Sequence, residues 1–249
     1  MSRQRNGAAR VWTTIVVIVV ALGALLVVAD IVVRGIAQER FSEQIRSNLP
    51  EGVDGEVDVT IGGFSVIAQY LAGTMDRVEL SAPELTVNGA PIAVDVVGEG
   101  VPVDLAAPVR SMSAVIEADQ DAINRLIAIP EVEGDVTLGE GVVGYADTIE
   151  VFGLRLGYSV TARPTAAGDT VLLEPENVQV DAGGAGIDVS GLAERVLGDD
   201  PIAVCVAQYL PEGVMVNDIE IAAGTATVRL EAQGIMLDEA SLATTGSCD

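Results

Sequence analysis

The chain of 249 residues contains no histidine and no lysine, so all 13 of its basic residues are arginine. Without imidazole, Ser-His-Asp and Cys-His nucleophilic machinery is impossible, and zinc sites built on histidine are excluded. Cysteine is almost absent too, and Cys205 and Cys248 are too few to cage a metal. Aromatics make up 3% of a composition that is 49% hydrophobic, which leaves Val, Ala, Ile and Gly to build the core. Small branched side chains of that kind suit sheets better than helical bundles.

Phosphate-cradling motifs are missing as well. No G-x-x-x-x-G-K-[ST] or G-x-G-x-x-G follows a strand and opens a helix, and Gly183-Gly184-Ala185-Gly186 reads as a loop. Thirty-seven acidic residues guarantee carboxylate pairs at glycosidase separations by chance, so such pairs single out no residue. Asp199-Asp200 and Glu174/Glu176 fit no EF-hand spacing and read as a solvated acidic face. The expectation is a non-enzymatic protein with no catalytic residue, no metal site and no cofactor.

What is present is unevenly distributed. Arg3, Arg5 and Arg10 precede every acidic residue, and from Asp30 onward 10 arginines face 37 acids, a net charge of −27. Such a surface gains nothing from phosphate neutralisation, which excludes nucleic-acid binding, and it is repelled by anionic headgroups at long range. Any lipid binding must come from apolar contact.

Between the arginines and Asp30, residues Val11 to Ala29 form an uninterrupted uncharged run, nearly all apolar. As a helix it covers roughly 28 Å, close to the hydrocarbon core of a bilayer. The flanking charges put the N-terminus in the cytoplasm by the positive-inside rule, with Trp12 at interfacial depth. Val27-Val28-Ala29 is also an acceptable signal-peptidase site, and cleavage there exports the same chain. The division expected is a cytoplasmic Arg-rich tail (1–10), a transmembrane anchor or signal segment (11–33) and an extracytoplasmic domain (35–249) of a single-pass cell-membrane protein. No cysteine follows the segment to carry a lipoprotein anchor. In an oxidising compartment the two cysteines pair, so a Cys205–Cys248 disulfide is expected, the alternative being two free buried thiols.

After the anchor, Ala37, Phe41, Ile45 and Leu49 recur every four residues and stop at Pro50-Glu51-Gly52. That is one apolar stripe on a helix, either a stalk or a helix packed into the domain. From residue 56 the period becomes two, as in Val57, Val59, Ile61, then Val78, Leu80, then Leu85, Val87. Asn88-Gly89 signals a type I′ hairpin. Ala166–Asp169 links Ser159–Arg163 to Thr170–Leu173, and Ala223-Gly224-Thr225 links Ile219–Ile221 to Ala226–Leu230. Helices are expected over Asp119–Ile129 and Ser190–Leu197, capped by Asp119 and Ser190. Ile202–Val206 reads equally as helix or strand.

One segment stands apart: Gly62-Gly63-Phe64-Ser65-Val66-Ile67-Ala68-Gln69-Tyr70-Leu71-Ala72-Gly73, an apolar run with glycines at both ends. Glycines let the chain turn sharply, so Phe64, Val66, Ile67, Tyr70 and Leu71 offer either a compact apolar surface or a plug for the core. Here the sequence resembles the actinobacterial LmeA-like phospholipid-binding family. That family combines an N-terminal signal or anchor, a helix, a strand and a Gly-Phe-Pro-Phe-Leu-Thr-Gln-like segment ending in Gly. Gly63-Phe64, Ile67, Gln69 and Gly73 match, while Ser65, Val66 and Ala68 depart from Pro, Phe and Thr. Met75–Leu80 fits the following strand, and Leu210-Pro211-Glu212-Gly213-Val214 fits the second half.

The resemblance implies an elongated α+β lipid-binding module, curled antiparallel β-sheet meanders wrapping an amphipathic helix. It also implies a cell-envelope protein that binds phospholipid, phosphoinositide-type or other, and supports envelope lipid or glycolipid assembly. Phe64, Val66, Ile67, Tyr70 and Leu71 are then expected to line or gate an apolar cavity that holds acyl chains. Two other classes stay open: a membrane-anchored envelope scaffold that binds a protein partner, and a carboxylate-dependent glycan enzyme.

Overall fold

In a computed structural model the residues described are 5–47, 49–126, 135–151, 154–182, 185–188 and 201–248. Helix α1 runs without a break from Arg5 to Ser47, joining the apolar run to the four-residue stripe. Its side chains from Val16 to Val28 are exposed, so none of the described residues covers them. Among the described residues it is the one helix long and apolar enough to cross a membrane.

Beyond α1 the chain is built mainly of antiparallel strands. Strands β1 (Val53–Asp54), β2 (Asp58–Ile61), β3 (Thr74–Val87), β4 (Ala90–Pro102) and β5 (Val109–Asp119) lie in one sheet. They share it with β12 (Val214–Ala222) and β13 (Thr225–Ile235). The order is β1-β3-β4-β5-β13-β12, with β2 pairing beside β1 on the outer edge of β3. A second sheet is inserted in the chain between β5 and β12. It holds β6 (Asp135–Leu138), β7 (Val143–Val151), β8 (Leu154–Ala167), β9 (Thr170–Ala182), β10 (Ala185–Asp188) and β11 (Ile202–Cys205).

Turn chemistry explains why these strands meet as they do. Asn88 and Gly89 both have positive φ, 50° and 82°, as a type I′ turn between β3 and β4 demands. Gly168 and Gly224 take the left-handed positions at the β8–β9 and β12–β13 turns. Pro211 O accepts from Val214 N at 3.0 Å with Gly213 at φ 85°, so the Leu-Pro-x-Gly segment is a tight turn into β12. Alternation holds in β2, where Val59 and Ile61 are buried while Asp58 and Thr60 are exposed.

The structure decides one open reading and corrects one expectation. Ile202–Cys205 is a strand, because its backbone pairs with Thr170–Leu173 of β9. Ala185 and Gly186, read as loop, belong to β10 and pair with Ala182 and Asp181; small residues make an unremarkable strand when its partner supplies the ladder. The helix capped by Asp119 is α3, Gln120–Leu126, with Asp119 Oδ1 accepting from Ala122 N at 2.7 Å. Residues 127–129 of that expected helix, and the whole of Ser190–Leu197, lie outside the described residues. Helix α1 also lies along one sheet edge, against β2 and α2 (Val66–Ala72), and one flank of its outer half stays exposed.

The apolar interior is divided. Val109, Val214, Ala232 and Ile235 form a cluster between β5, β12 and β13, with Met112, Leu210, Leu230 and Leu237 packed around it. Ile61, Val66 and Met75 form a second cluster under α1, with Ala37, Val78 and Val103 against it. Val101 touches both clusters and so couples the α1 end to the sheet.

The two sheets are joined at β12. Gly168 and Val216 exchange backbone hydrogen bonds at 3.2 and 3.0 Å, and Gly141 N donates to Ile221 O at 2.9 Å. Cys205, at the end of β11, is bonded to Cys248, which fixes the C-terminus to the second sheet. A short C-terminal helix, α4 (Glu239–Ala243), leads to this bond, and Gly246 N donates to Leu210 O at 3.1 Å. The cross-link closes a loop of 43 residues, so C205S/C248S should cost about 3–4 kcal/mol by chain entropy. Urea unfolding under oxidising and reducing conditions measures this, and equal midpoints for wild type and the double variant would contradict it.

Candidate functional site

The glycine-flanked segment folds as a short helix held at both ends. Ser65 caps α2, its Oγ accepting from Ala68 N at 3.2 Å, and Gly73 closes it in the left-handed conformation at φ 79°. Gly63 has φ 87°, and a Cβ there would lie 2.6 Å from Gln69 Nε2 and 2.8 Å from Asp76 Oδ2. Glycine is therefore required at 63 by conformation and by space. The buried Gln69 spans the loop, donating from Nε2 to Gly62 O at 3.0 Å and accepting at Oε1 from Asp76 N at 2.7 Å.

Helix α1 is locked to this unit by a charged pair. Asp30 is 9% exposed, and its Oδ1 accepts from Ser65 Oγ at 2.7 Å and from Ile67 N at 3.0 Å. Arg34, one turn on, lies 3.5 Å from Asp30 Oδ2 and donates to Ile61 O at 2.8 Å and Gly63 O at 2.9 Å. Farther along, the Ser42 hydroxyl donates to Val57 O. A carboxylate withdrawn from water is tolerated only when so many donors meet it.

Between α1 and α2 runs a groove of about 440 Å³. Its helical wall is Val33, Ile36, Ala37, Arg40, Phe41 and Gln44, spaced i, i+3, i+4, i+7, i+8 and i+11 on one face of α1. Val66, Tyr70, Met75 and Val103 form the other wall. Arg40 is the one charged lining residue and makes no ion pair among the described residues. From Val33 to Gln44 the wall is roughly 16 Å long, about the depth of one leaflet's hydrocarbon.

Of the five residues singled out from sequence, Val66 and Tyr70 line this groove. Ile67 is half-buried and joins Asp30 through its backbone. Phe64 and Leu71 are not among the lining residues; they are 97% and 81% exposed. Sequence reasoning missed Val33, Ile36, Arg40, Gln44, Met75 and Val103 as lining residues, and it missed the Asp30–Arg34 lock. The i, i+3, i+4 spacing from Val33 was available, but its first member falls inside the expected membrane segment. Among the described residues, no three Cys, Asp or Glu side chains gather as a metal would need.

Three of the positions that carry the family resemblance are ones this geometry demands: Gly63 for its φ, Gln69 as the buried tie, Gly73 as the cap. Ser65, which departs from the family's proline, supplies the cap and the hydroxyl that meets Asp30. A family model described as LmeA-like phospholipid-binding matches residues 28–232. The chain belongs to this family. No curated protein and no solved structure matches the chain. The family match starts two residues before Asp30, so the lock, α2 and the groove all fall within it.

Removing the Asp30 carboxylate takes the acceptor from Ser65 Oγ and Ile67 N and the ion-pair partner from Arg34, which keeps only its carbonyl acceptors. Asp30→Ala should destabilise the domain by about 1–3 kcal/mol, whereas exposed Asp54→Ala should change it by under about 0.5 kcal/mol. Hydrogen exchange would show the loss locally, as reduced protection of the Ile67 amide. Unchanged protection there would show that the lock does not hold α2.

Proposed function

We propose that the protein is a non-enzymatic, membrane-anchored phospholipid-binding protein of the cell envelope that holds an acyl chain in the groove between α1 and α2. The observation that carries this reading is the groove's place on α1. Its first lining residue, Val33, is four residues beyond Ala29, the end of the uncharged run, or about 6 Å along the helix. With Val11 to Ala29 in the bilayer and the N-terminus in the cytoplasm, the groove opens where the helix leaves the hydrocarbon and continues outward from it. An acyl chain slides from leaflet to groove without crossing much water.

Energetics favour apolar capture. Each buried methylene contributes about 0.8 kcal/mol, so several suffice to hold a chain without a basic cluster. Arg40 is the one cation the lining offers to a lipid phosphate, in a domain otherwise dominated by acids. Val66 and Tyr70 act as lining, Ile67 as support behind it, and Phe64 and Leu71 stand outside. Membership of a phospholipid-binding family supports a lipid partner, and support of envelope lipid or glycolipid assembly is the role proposed for that binding. A scaffold that binds a protein partner is the alternative if no lipid occupies the groove.

The test uses the full chain in nanodiscs that contain a phospholipid with a photoactivatable diazirine in its acyl chain, with adducts mapped by mass spectrometry. Phe41 lies roughly 18 Å along α1 from Ala29, too far out for a chain still in the bilayer to label it. Adducts at Phe41 and on α2 are expected. Ile36→Glu, at a side chain 48% exposed and so harmless to the core, should cut those adducts by about tenfold or more. Adducts confined to residues 11–29, with no effect of the substitution, would overturn the groove reading in favour of the scaffold.

A further inference from the structure

We infer that Phe64 and Leu71, with Ala68 between them, form an apolar foot that inserts into the outer leaflet of the bilayer anchoring α1. Helix α2 turns Val66, Gln69 and Tyr70 toward the domain and the groove, which leaves Ala68 and Leu71 on its opposite face, and Phe64 projects just before the cap. Phe64 is 97% exposed and Leu71 is 81% exposed, so neither is covered by the described residues. Water is a poor surrounding for both side chains.

The occupant follows from where the foot is fastened. Ile67 N and Ser65 bind Asp30, the first residue after the uncharged run, and Phe64 O accepts from Arg34 Nη2 at 3.4 Å. The foot therefore lies level with Asp30 to Arg34, within about 8 Å of the helix's exit from hydrocarbon at Ala29. Interfacial side chains reach roughly 5–10 Å into the headgroup and acyl boundary from that level. Composition agrees independently. Gly62 to Met75 contains no charged residue, although 20% of the chain is charged and the domain as a whole is strongly acidic. The stretch fastened at the membrane exit thus carries no charge for an anionic leaflet to repel.

This inference rests on α1 spanning the membrane and does not depend on the groove holding lipid. The chain's single tryptophan, Trp12, makes the test clean. In a Trp12→Phe background, three single-tryptophan proteins are made in the full chain: Phe64→Trp for the foot, Leu22→Trp for the anchor and Tyr209→Trp as an exposed site on the domain. Each is reconstituted in phosphatidylcholine liposomes with and without acyl-brominated phosphatidylcholine. Phe64→Trp should emit to the blue of Tyr209→Trp and lose roughly half its fluorescence to the brominated lipid, since its ring sits at the headgroup and acyl boundary. Quenching of Leu22→Trp with none of Phe64→Trp beyond the Tyr209→Trp level would overturn the foot and leave the anchor intact. Absence of quenching at Leu22→Trp would overturn the anchor and the foot with it.

Discussion

The buried carboxylate of Asp30 is the point on which the arrangement turns. It ends an uncharged helical run, yet it is held inside the protein by the Ser65 hydroxyl, the Ile67 amide and the Arg34 guanidinium. An isolated charge so placed costs several kcal/mol, and a charge met by three donors does not. The same contacts set the rotation of α1, because Arg34 reaches Ile61 O and Gly63 O only with α1 turned as it is. That rotation aims Val33, Ile36, Ala37 and Phe41 at Val66 and Tyr70, so the groove is a consequence of the lock.

Specificity of that kind comes from polar groups in an apolar setting. The Ile61, Val66 and Met75 cluster is small and tolerates several helix orientations, since apolar contact has little directional preference. Hydrogen bonds with fixed donors choose among those orientations. Gln69 does the same on the other side of α2, tying Gly62 to Asp76 so that the loop and the start of β3 move as one. The small cluster supplies the cohesion, and the two buried polar residues supply the register.

How much of this is legible in the sequence depends on the range of the interaction. The hairpins at Asn88-Gly89, Gly168 and Gly224 are local, set by which residues tolerate positive φ, and they read directly from the chain. So do the alternation around Val57, Val59 and Ile61 and the compartment argument that pairs Cys205 with Cys248. The β11 strand does not, because Ile202–Cys205 owes its conformation to β9, some 30 residues earlier in sequence. The glycine-flanked segment was visible as apolar, but not which of its faces looks inward. Phe64 is the most exposed of the five at 97%, and Val66 is 2% exposed. Within α2 helical phase decides this, and α2 is positioned by Ser65 meeting Asp30, a contact 35 residues apart in sequence, while Phe64 lies ahead of the helix.

Charge decides how such a domain can stand at a membrane. From Asp30 onward the chain carries a net of −27, and anionic headgroups repel it over a Debye length of about 8 Å at physiological salt. On the topology proposed above, a spanning helix holds the domain at the surface, so repulsion does not release it and acts on its orientation instead. The strands, which bear most of the acids, are pushed outward, while the charge-free stretch from Gly62 to Met75 meets no such force and lies at the fastening point. On that proposed topology both effects favour the posture inferred above, with α2 against the leaflet and the sheets away from it. In that posture the groove along α1 lies near the membrane normal, in line with the acyl chains below. A strongly acidic composition, which argues against electrostatic lipid binding, is on this view what keeps the groove upright over the leaflet.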